Sequence, residues 1–328
     1  MLGMGNESSC SEKRPAPRGF TLVELLVVIA IIGVLVGLLV VAIGRAQVTV
    51  REGVIATEIA NLSQAVQLLK NDYGAFPPDF SNVASNKQAV DQFLAGKFRY
   101  RTPTPKGSNA NNPAFGDAAP LRPDGRQRMF EDLDPAEALV FWLQGFSSDP
   151  QRPIGGNTDR TPVFEFDKAR LGDRDNDGWQ EYYPRFADVP KYDAAGNFTG
   201  GQGKPYVYYE SNTYVFNFGV NATMRNNNLF ISRLGASLGT NQIPAPRPYL
   251  STQTVDPPDA STKAGFAESN GFQIISAGLD NDYGIPVPNA APAYYVFAFP
   301  KGPYPDNNKA HLDNITNFSN GTLGKSVP

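Results

Sequence analysis

The sequence lacks the residues that most often stabilise exported domains or carry catalysis. It has 328 residues but a single cysteine, Cys10, and a single histidine, His311. One cysteine cannot form an internal disulfide, so disulfides do not hold this fold together. There is no His-Glu-x-x-His zinc motif and no glycine-rich phosphate loop, and His311 stands in a polar tail. We therefore do not predict an enzyme, although sequence alone does not show which carboxylates converge.

Charge of either sign is also scarce. Only 19% of the residues are charged, and the formal net charge is −3. A domain that binds nucleic acid needs a clustered excess of lysine and arginine, and none is present, so no nucleic-acid partner is predicted. Glycine and proline are abundant instead, with 31 and 28 residues, which indicates a chain rich in loops.

One long apolar run lies near the N-terminus, from Thr21 to Gly44. As a helix, its roughly 24 residues would extend about 36 Å, enough to cross a bilayer. Basic residues before the run favour a cytoplasmic N-terminus and an exported C-terminal body; they are Lys13, Arg14 and Arg18. A secretory signal peptide is the alternative, but its apolar region is only about 7–15 residues long. Glu24 also argues against it, because a carboxylate in a spanning helix costs a few kcal/mol and marks a functional contact.

The run opens with the string Gly19-Phe20-Thr21-Leu22-Val23-Glu24-Leu25-Leu26. This string resembles the processing site of type IV prepilins and type II secretion pseudopilins. The resemblance implies a leader, residues 1–19, that a prepilin peptidase removes after Gly19, and methylation of the new N-terminal residue, Phe20. It also implies that Glu24 serves assembly by meeting the N-terminal ammonium of a neighbouring subunit. An acid buried among apolar helices needs such a partner; the alternative is a side chain near a helix end that snorkels to the membrane interface.

The same resemblance implies the surroundings of the protein. Its partners would be further copies of itself and other pseudopilins in a filament, the inner-membrane assembly platform and the membrane. It would be a single-pass protein of the inner (cytoplasmic) membrane, with a cytoplasmic N-terminus before cleavage. Its C-terminal domain would be periplasmic or, within a filament, extracellular.

The apolar pattern continues beyond the membrane run as one helix face, formed by Ile55, Ile59, Leu62, Val66, Leu69 and Tyr73. No proline stands between Phe20 and Asp72, so a single helix over residues 20–74 is predicted, with residues 20–44 in the membrane. Gly74 and the prolines beyond it end this helix. A coiled-coil seam is the alternative for the apolar face, but the repeat fades after three heptads and packing on a sheet is favoured. The segment from Ala65 to Pro77 also resembles the helix exit of major pseudopilins.

Residues 75–328 are predicted to form an exported α+β globular domain. Four aromatic and β-branched segments predict an antiparallel sheet on which the helix packs: 206–209, 213–216, 272–275 and 294–297. Asp134, Pro135 and Glu137 predict the start of a helix that continues through Trp142 and ends at Gly145. Three segments rich in proline, glycine and asparagine are predicted as long insertions with little regular structure: 80–130, 145–200 and 225–268.

Two acidic loops are candidates for structural Ca²⁺. The first fits the pattern D-x-D-x-D-G, with Asp173, Asp175 and Asp177 as carboxylate ligands and the Trp179 carbonyl at position seven. An EF-hand would have a bidentate glutamate at position twelve, where this chain has Pro184, so Glu181 would complete the shell. The alternative is a solvated acidic turn.

The second loop, residues 276–284, resembles the calcium-binding C-terminal loop of major pseudopilins, S-x-G-x-D-x-x-x-G. The resemblance assigns Asp280 and Asp282 as ligands, with Asp313 or Asn314 from the tail as further candidates. Ordinary turn chemistry explains the same string equally well.

Together these patterns predict a structural subunit of a type II secretion pseudopilus or type IV pilus-like filament that supports protein secretion. A membrane-tethered pilin-like binding module, which caps or decorates a filament, is the second hypothesis. An anchored hydrolase is the third.

Overall fold

A computed structural model describes residues 19–81, 86–98, 132–149, 153–154, 160–175, 177–193, 198–214, 246–253, 262–284, 298–300 and 310–326. The chain divides into two compact units, residues 1–49 and residues 50–328. The predicted boundaries after residues 19 and 74 stay predictions.

The helices and strands are short, apart from the first helix. The α-helices are α1 (Leu22–Tyr73), α2 (Asn86–Ala95), α3 (Ala138–Leu143) and a final turn at Leu323–Ser326, with 3-10 turns at Lys168–Arg170, Lys263–Gly265 and Ala310–Asp313. The strands are β1 (Phe146–Ser147), β2 (Arg160–Thr161), β3 (Leu171–Gly172), β4 (Glu181–Tyr182), β5 (Lys191–Tyr192), β6 (Phe198–Gly200), β7 (Val207–Glu210), β8 (Leu250–Ser251), β9 (Phe272–Ser276), β10 (Ala298–Phe299) and β11 (Ile315–Thr316). This α+β composition, with one long N-terminal helix, confirms the predicted fold class.

Helix α1 is continuous over 52 residues, as the absence of proline predicts. It ends at Gly74, whose φ of +81° is available to glycine without strain and whose N–H donates to the Lys70 carbonyl at 2.7 Å. Within residues 50–73 the predicted apolar face is buried, at Ile55, Ile59, Leu62, Ala65, Val66 and Leu69. Tyr73 closes this face by stacking on Phe93 of α2, with 4.9 Å between ring centroids.

A three-stranded antiparallel sheet in the order β11-β9-β7 forms the centre of the body. Strand β7 pairs with β9 from Val207↔Ile275 to Glu210↔Phe272. Because side chains alternate across a strand, the two faces contribute to different cores. Tyr208, Phe272 and Ile274 share one cluster with the buried face of α1, whereas Val207, Tyr209 and Ile275 belong to a second cluster with Tyr249 and Phe266.

Charged contacts fasten the buried part of α1 to the body. Both terminal nitrogens of Arg170 donate to the Glu58 carboxylate, each at 2.5 Å, and form a bidentate ion pair. The hydroxyls of Tyr182 and Tyr206 donate to the same carboxylate at 2.9 and 2.6 Å. Lys325, in the final helix, forms an ion pair with the buried Glu52. Glu58 is therefore the point at which three segments of the body meet α1.

Several predictions about the body need correction. The strand predicted at 206–209 is β7 and that at 272–275 is β9, but Thr213, at the start of the strand predicted over 213–216, lies in a turn and donates its hydroxyl to the Glu210 carbonyl at 2.9 Å. Residues 215–216 and the strand predicted at 294–297 lie outside the described residues. The segment 80–130 contains α2, which forms because Val90, Phe93 and Leu94 give it a buried apolar face. The high proline and glycine content of the segment concealed this short helix.

Replacement of Glu58 by glutamine should destabilise the protein. The variant keeps the shape of the side chain but leaves the Arg170 guanidinium without its carboxylate, at a site where both side chains are at most 14% exposed. Removing one partner of a buried ion pair costs about 3 kcal/mol. Chemical unfolding of the detergent-solubilised full chain measures this change.

The matched control is Asp72→Asn, which removes a carboxylate that pairs with Lys97 at 3.4 Å but is 64% exposed. This control should lower the free energy of unfolding by less than about 1 kcal/mol. Equal effects of the two substitutions would show that the Glu58 network does not fasten α1.

Candidate functional site

The N-terminal motif forms a helix cap. Thr21 precedes α1, and its backbone N–H and its hydroxyl donate to Glu24 Oε2 at 2.8 and 2.9 Å. In return, the Glu24 N–H donates to Thr21 Oγ1 at 3.2 Å. This reciprocal arrangement is a capping box, in which a threonine at the N-cap and a glutamate three residues later satisfy each other's backbone donors. The spacing Thr-x-x-Glu carries this signal in the sequence, and the cap is a further role for Glu24 beside the predicted assembly contact and its snorkelling alternative.

The cap changes the energetics of Glu24. A carboxylate without partners is expensive to move into an apolar environment. Here one oxygen already accepts two hydrogen bonds from Thr21, so part of that cost is offset within the chain. Glu24 therefore stands at the start of α1, close to the predicted cut after Gly19, in a state suited to an apolar assembly.

The first half of α1 presents apolar side chains on all sides. From Phe20 to Val50, every large hydrophobic residue of the helix that the structure describes is exposed, with Phe20 itself 82% exposed. Such a surface is stable only when lipid or another apolar surface covers it. The helix is long and apolar enough to cross a membrane, and it fits a single-pass membrane anchor of a pilin-like protein.

The first acidic loop lies at the tip of the β3–β4 hairpin, where Gly172 pairs with Glu181. Asp173 shapes the loop by accepting the Asp177 N–H at 3.1 Å and the Gly178 N–H at 2.9 Å. Gly178 has a φ of +91°, so the sharp bend needs a glycine at this position. The turn brings Asp173, Asp175 and Asp177 together, each offering an oxygen within 4.8 Å of the others.

Two further carboxylates join this loop from the segment before α3. Asp134, Glu137 and Asp175 each offer an oxygen within 4.8 Å of the others, so Asp175 belongs to both groups. Asp134 accepts the Ala136 N–H at 2.7 Å and Glu137 accepts the Asp134 N–H at 3.0 Å. These bonds close a turn ahead of α3, which begins at Ala138 and therefore later than the start predicted at Asp134 and Pro135. The sequence analysis missed their position beside the loop, because no local pattern signals a contact between segments this far apart in the chain.

The acidic cluster is electrostatically unfavourable on its own: Asp134, Glu137 and Asp177 are buried, and Asp173 and Asp175 are partly buried. Burial, followed by the charge of Asp177, holds the pKa of Glu137 well above its usual range. Burial and the neighbouring Asp175 raise the pKa of Asp177 and that of Glu181 in the same way. Carboxylates that are buried side by side need either protons or a cation.

Glu181 has a different position from the one predicted. Both of its oxygens accept the Arg174 N–H, at 3.2 and 3.1 Å, and the residue is fully buried. Among the residues that the structure describes, the two close oxygen groups do not include Glu181. It lies next to the cluster and holds the backbone of the loop in place. The Trp179 ring packs edge-on against Phe141 of α3 at 5.4 Å and so ties the loop to that helix.

The second acidic loop, after β9, closes on itself. Asp280 accepts the Asp282 N–H at 2.9 Å, and Asp282 accepts the Gly284 N–H at 3.0 Å. Asp313 accepts the N–H groups of Leu279 and Asp280, at 2.5 and 3.0 Å, and burial together with Asp313 raises the pKa of Asp280 to about 6. The Lys204 ammonium lies 3.7 Å from Asp282. The lysine thus pairs with one of the two predicted ligands, and calcium binding by Asp280 and Asp282 stays a prediction.

Comparison with known proteins identifies the N-terminal segment. Residues 14–40 match the family model of the prokaryotic N-terminal methylation motif. The motif overlaps the start of the long apolar helix α1, and this combination is consistent with a type IV pilin-like protein. No curated protein and no solved structure matches the chain. The motif supports a pilin-like or pseudopilin-type filament subunit, and it implies processing by a prepilin peptidase and assembly into pilin-like filaments.

The methylation motif favours a structural subunit over an enzyme. His311, expected in a polar tail, is instead fully buried in the 3-10 turn Ala310–Asp313, because that turn packs against Gly284. The sequence contains one Gly-x-Ser-x-Gly string, at residues 235–239, which lies outside the described residues.

Replacement of Thr21 by alanine should weaken the start of α1. The Glu24 N–H loses its side-chain acceptor, and loss of an N-cap hydroxyl costs about 1 kcal/mol. Amide hydrogen exchange of the Glu24 N–H in detergent micelles should therefore be about fivefold faster. Thr21→Ser keeps the hydroxyl and should leave the exchange rate unchanged; equal rates in the alanine and serine variants would refute the capping role.

Proposed function

We propose that the chain is a structural subunit of a type II secretion pseudopilus or a closely related type IV pilus-like filament. It is cut after Gly19 by a prepilin peptidase and methylated at Phe20, and the filament supports protein secretion. The observation that carries the proposal is the methylation motif over residues 14–40, which overlaps the start of a helix whose first half is apolar on all sides.

The apolar helix surface suits both a solitary anchor and a filament subunit, and Glu24 favours the subunit. A membrane anchor needs only lipid around it, whereas a filament needs the same surface to pack against copies of itself once it has left the bilayer. Among the packed apolar helices of a filament, the Glu24 carboxylate requires a positive partner. Each neighbouring copy of the chain supplies one, the ammonium that cleavage creates at Phe20. The capping contacts with Thr21 position the carboxylate for this role.

The secretion system is proposed on the resemblance of two body segments to major pseudopilins, the exit of α1 and the loop at 276–284. The protein lies in the inner membrane until it assembles, with its N-terminus in the cytoplasm before cleavage. The basic residues ahead of the apolar run support this orientation. Other pseudopilins and the inner-membrane assembly platform are the expected partners.

The absence of cysteine from residues 20–328 makes cross-linking a direct test, because introduced cysteines are the only thiols of the cleaved chain. One thiol forms one disulfide and can yield only dimers, so each chain needs two cysteines on opposite sides of the apolar helix. Exposed pairs such as Ile29 with Ile31, replaced by cysteine, should give a ladder of disulfide-linked homo-oligomers in intact membranes that contain the assembly machinery. The substitution Glu24→Ala in this background should lower the yield of oligomers at least tenfold, since removing one partner of a buried ion pair costs about 3 kcal/mol or more.

Glu165→Gln is the matched control, because it removes an exposed carboxylate of the body. It should leave the ladder of oligomers intact. A single adduct in place of a ladder would favour the tethered binding module over the filament subunit, and a ladder that survives Glu24→Ala would refute the assembly role of Glu24.

The mass of the N-terminal peptide tests processing separately. A mature chain that begins at N-methylated Phe20 is the expected result. A chain from the native host that retains Met1 would contradict the proposal at its first step.

A further inference from the structure

The acidic cluster at the tip of the β3–β4 hairpin has the geometry of a cation site. Calcium binds oxygen ligands at about 2.3–2.6 Å, so oxygens on opposite sides of one ion are about 5 Å apart. Within each of the two oxygen groups, which share Asp175, the oxygens lie within 4.8 Å of one another. The donors are carboxylates alone, which suits a hard cation such as Ca²⁺ and disfavours metals that prefer nitrogen or sulfur.

Two buried oxygens point independently to a ligand. Glu137 is 1% exposed and uses Oε2 to accept the Asp134 N–H, while its Oε1 is buried without a hydrogen-bond partner. Asp177 is 4% exposed and uses Oδ1 to accept the Trp179 N–H, while its Oδ2 is likewise buried without a partner. A buried carboxylate oxygen that accepts nothing carries the full desolvation cost, which a bound cation removes.

The nearby arginine does not neutralise these oxygens. The Arg174 guanidinium donates to the Gly203 carbonyl at 2.7 Å and to the Gln202 side chain at 3.3 Å. Its backbone N–H, and not its charge, contacts Glu181. The positive charge of Arg174 is thus directed to the 202–203 segment.

We propose that this cluster is a calcium site assembled from two distant segments of the chain. The hairpin loop supplies Asp173, Asp175 and Asp177, and the turn before α3 supplies Asp134 and Glu137. Glu181 positions the loop through the Arg174 N–H. The ion links the start of α3 to the hairpin, in a body that has no disulfide to make such a link. The site is independent of filament assembly, so its test does not depend on the proposed function.

Calcium titration of the detergent-solubilised full chain tests the ligand assignment. Isothermal calorimetry should show calcium binding by the unaltered protein, and calcium should raise its melting temperature relative to chelator-treated protein. Glu137→Gln should weaken calcium binding at least tenfold. Loss of a residue that only orients metal ligands already weakens binding about 10- to 100-fold, and a ligand should matter at least as much. Asp177→Asn should do the same through the other segment.

Two control substitutions define the site. Asp72→Asn removes an exposed carboxylate from α1 and should leave calcium affinity unchanged. Asp282→Asn alters the second acidic loop and should also leave calcium binding by the hairpin cluster unchanged. Calcium binding that survives Glu137→Gln and Asp177→Asn but disappears in Asp282→Asn would overturn the proposal in favour of the second loop.

Terbium provides a readout that does not depend on the stability of the variants. Tb³⁺ occupies calcium sites and emits when a nearby tryptophan transfers excitation to it, and Trp179 belongs to the loop itself. The unaltered protein should show tryptophan-sensitised emission that calcium abolishes by competition. Trp179→Phe removes this donor ring and should reduce the emission. An unaltered protein that binds neither ion would refute the site outright.

Discussion

Burial of one face of α1 against the central sheet is the contact on which the rest of the body depends. The side chains from Ile55 to Leu69 share a core with β7, β9 and β11. Most other strands are only two residues long and form two-stranded sheets, which are marginally stable in isolation. Their stability comes from attachment to this core, through contacts such as the Glu58–Arg170 pair that carries the β3–β4 hairpin.

Buried carboxylates recur where this protein joins separate parts. Glu58 receives an arginine and two tyrosines, and the hairpin cluster collects acids from two segments. Glu24, which is exposed, is satisfied by its own helix start instead. At Glu58 the buried acid is costly without its partner, so the partner becomes a condition for the joined state. This ion pair links segments that no disulfide of this chain could join.

Much of the architecture could be predicted from sequence because its signals are local. The proline-free stretch and the apolar repeat predict α1 and its buried face, and the alternating aromatic segments predict β7 and β9. The loop around Asp175 could be recognised for the same reason, since its pattern is contiguous. The contribution of Asp134 and Glu137 could not, because their spacing signals a helix cap and their neighbours are decided by the fold. Helix α2 was missed for a related reason, since the composition of its surroundings outweighed a short apolar face.

Strand β9 is buried along its whole length, with one face toward α1 and the other toward the second core. Its one polar side chain apart from the terminal serine, Gln273, has its amide fully used, by the backbone of Tyr249 and the carbonyl of Ala267. No position of this strand therefore has a solvent side on which sequence can vary at low cost. Among natural variants of this body, β9 should be the slowest segment to diverge, while the ribbons around it change freely in length and composition.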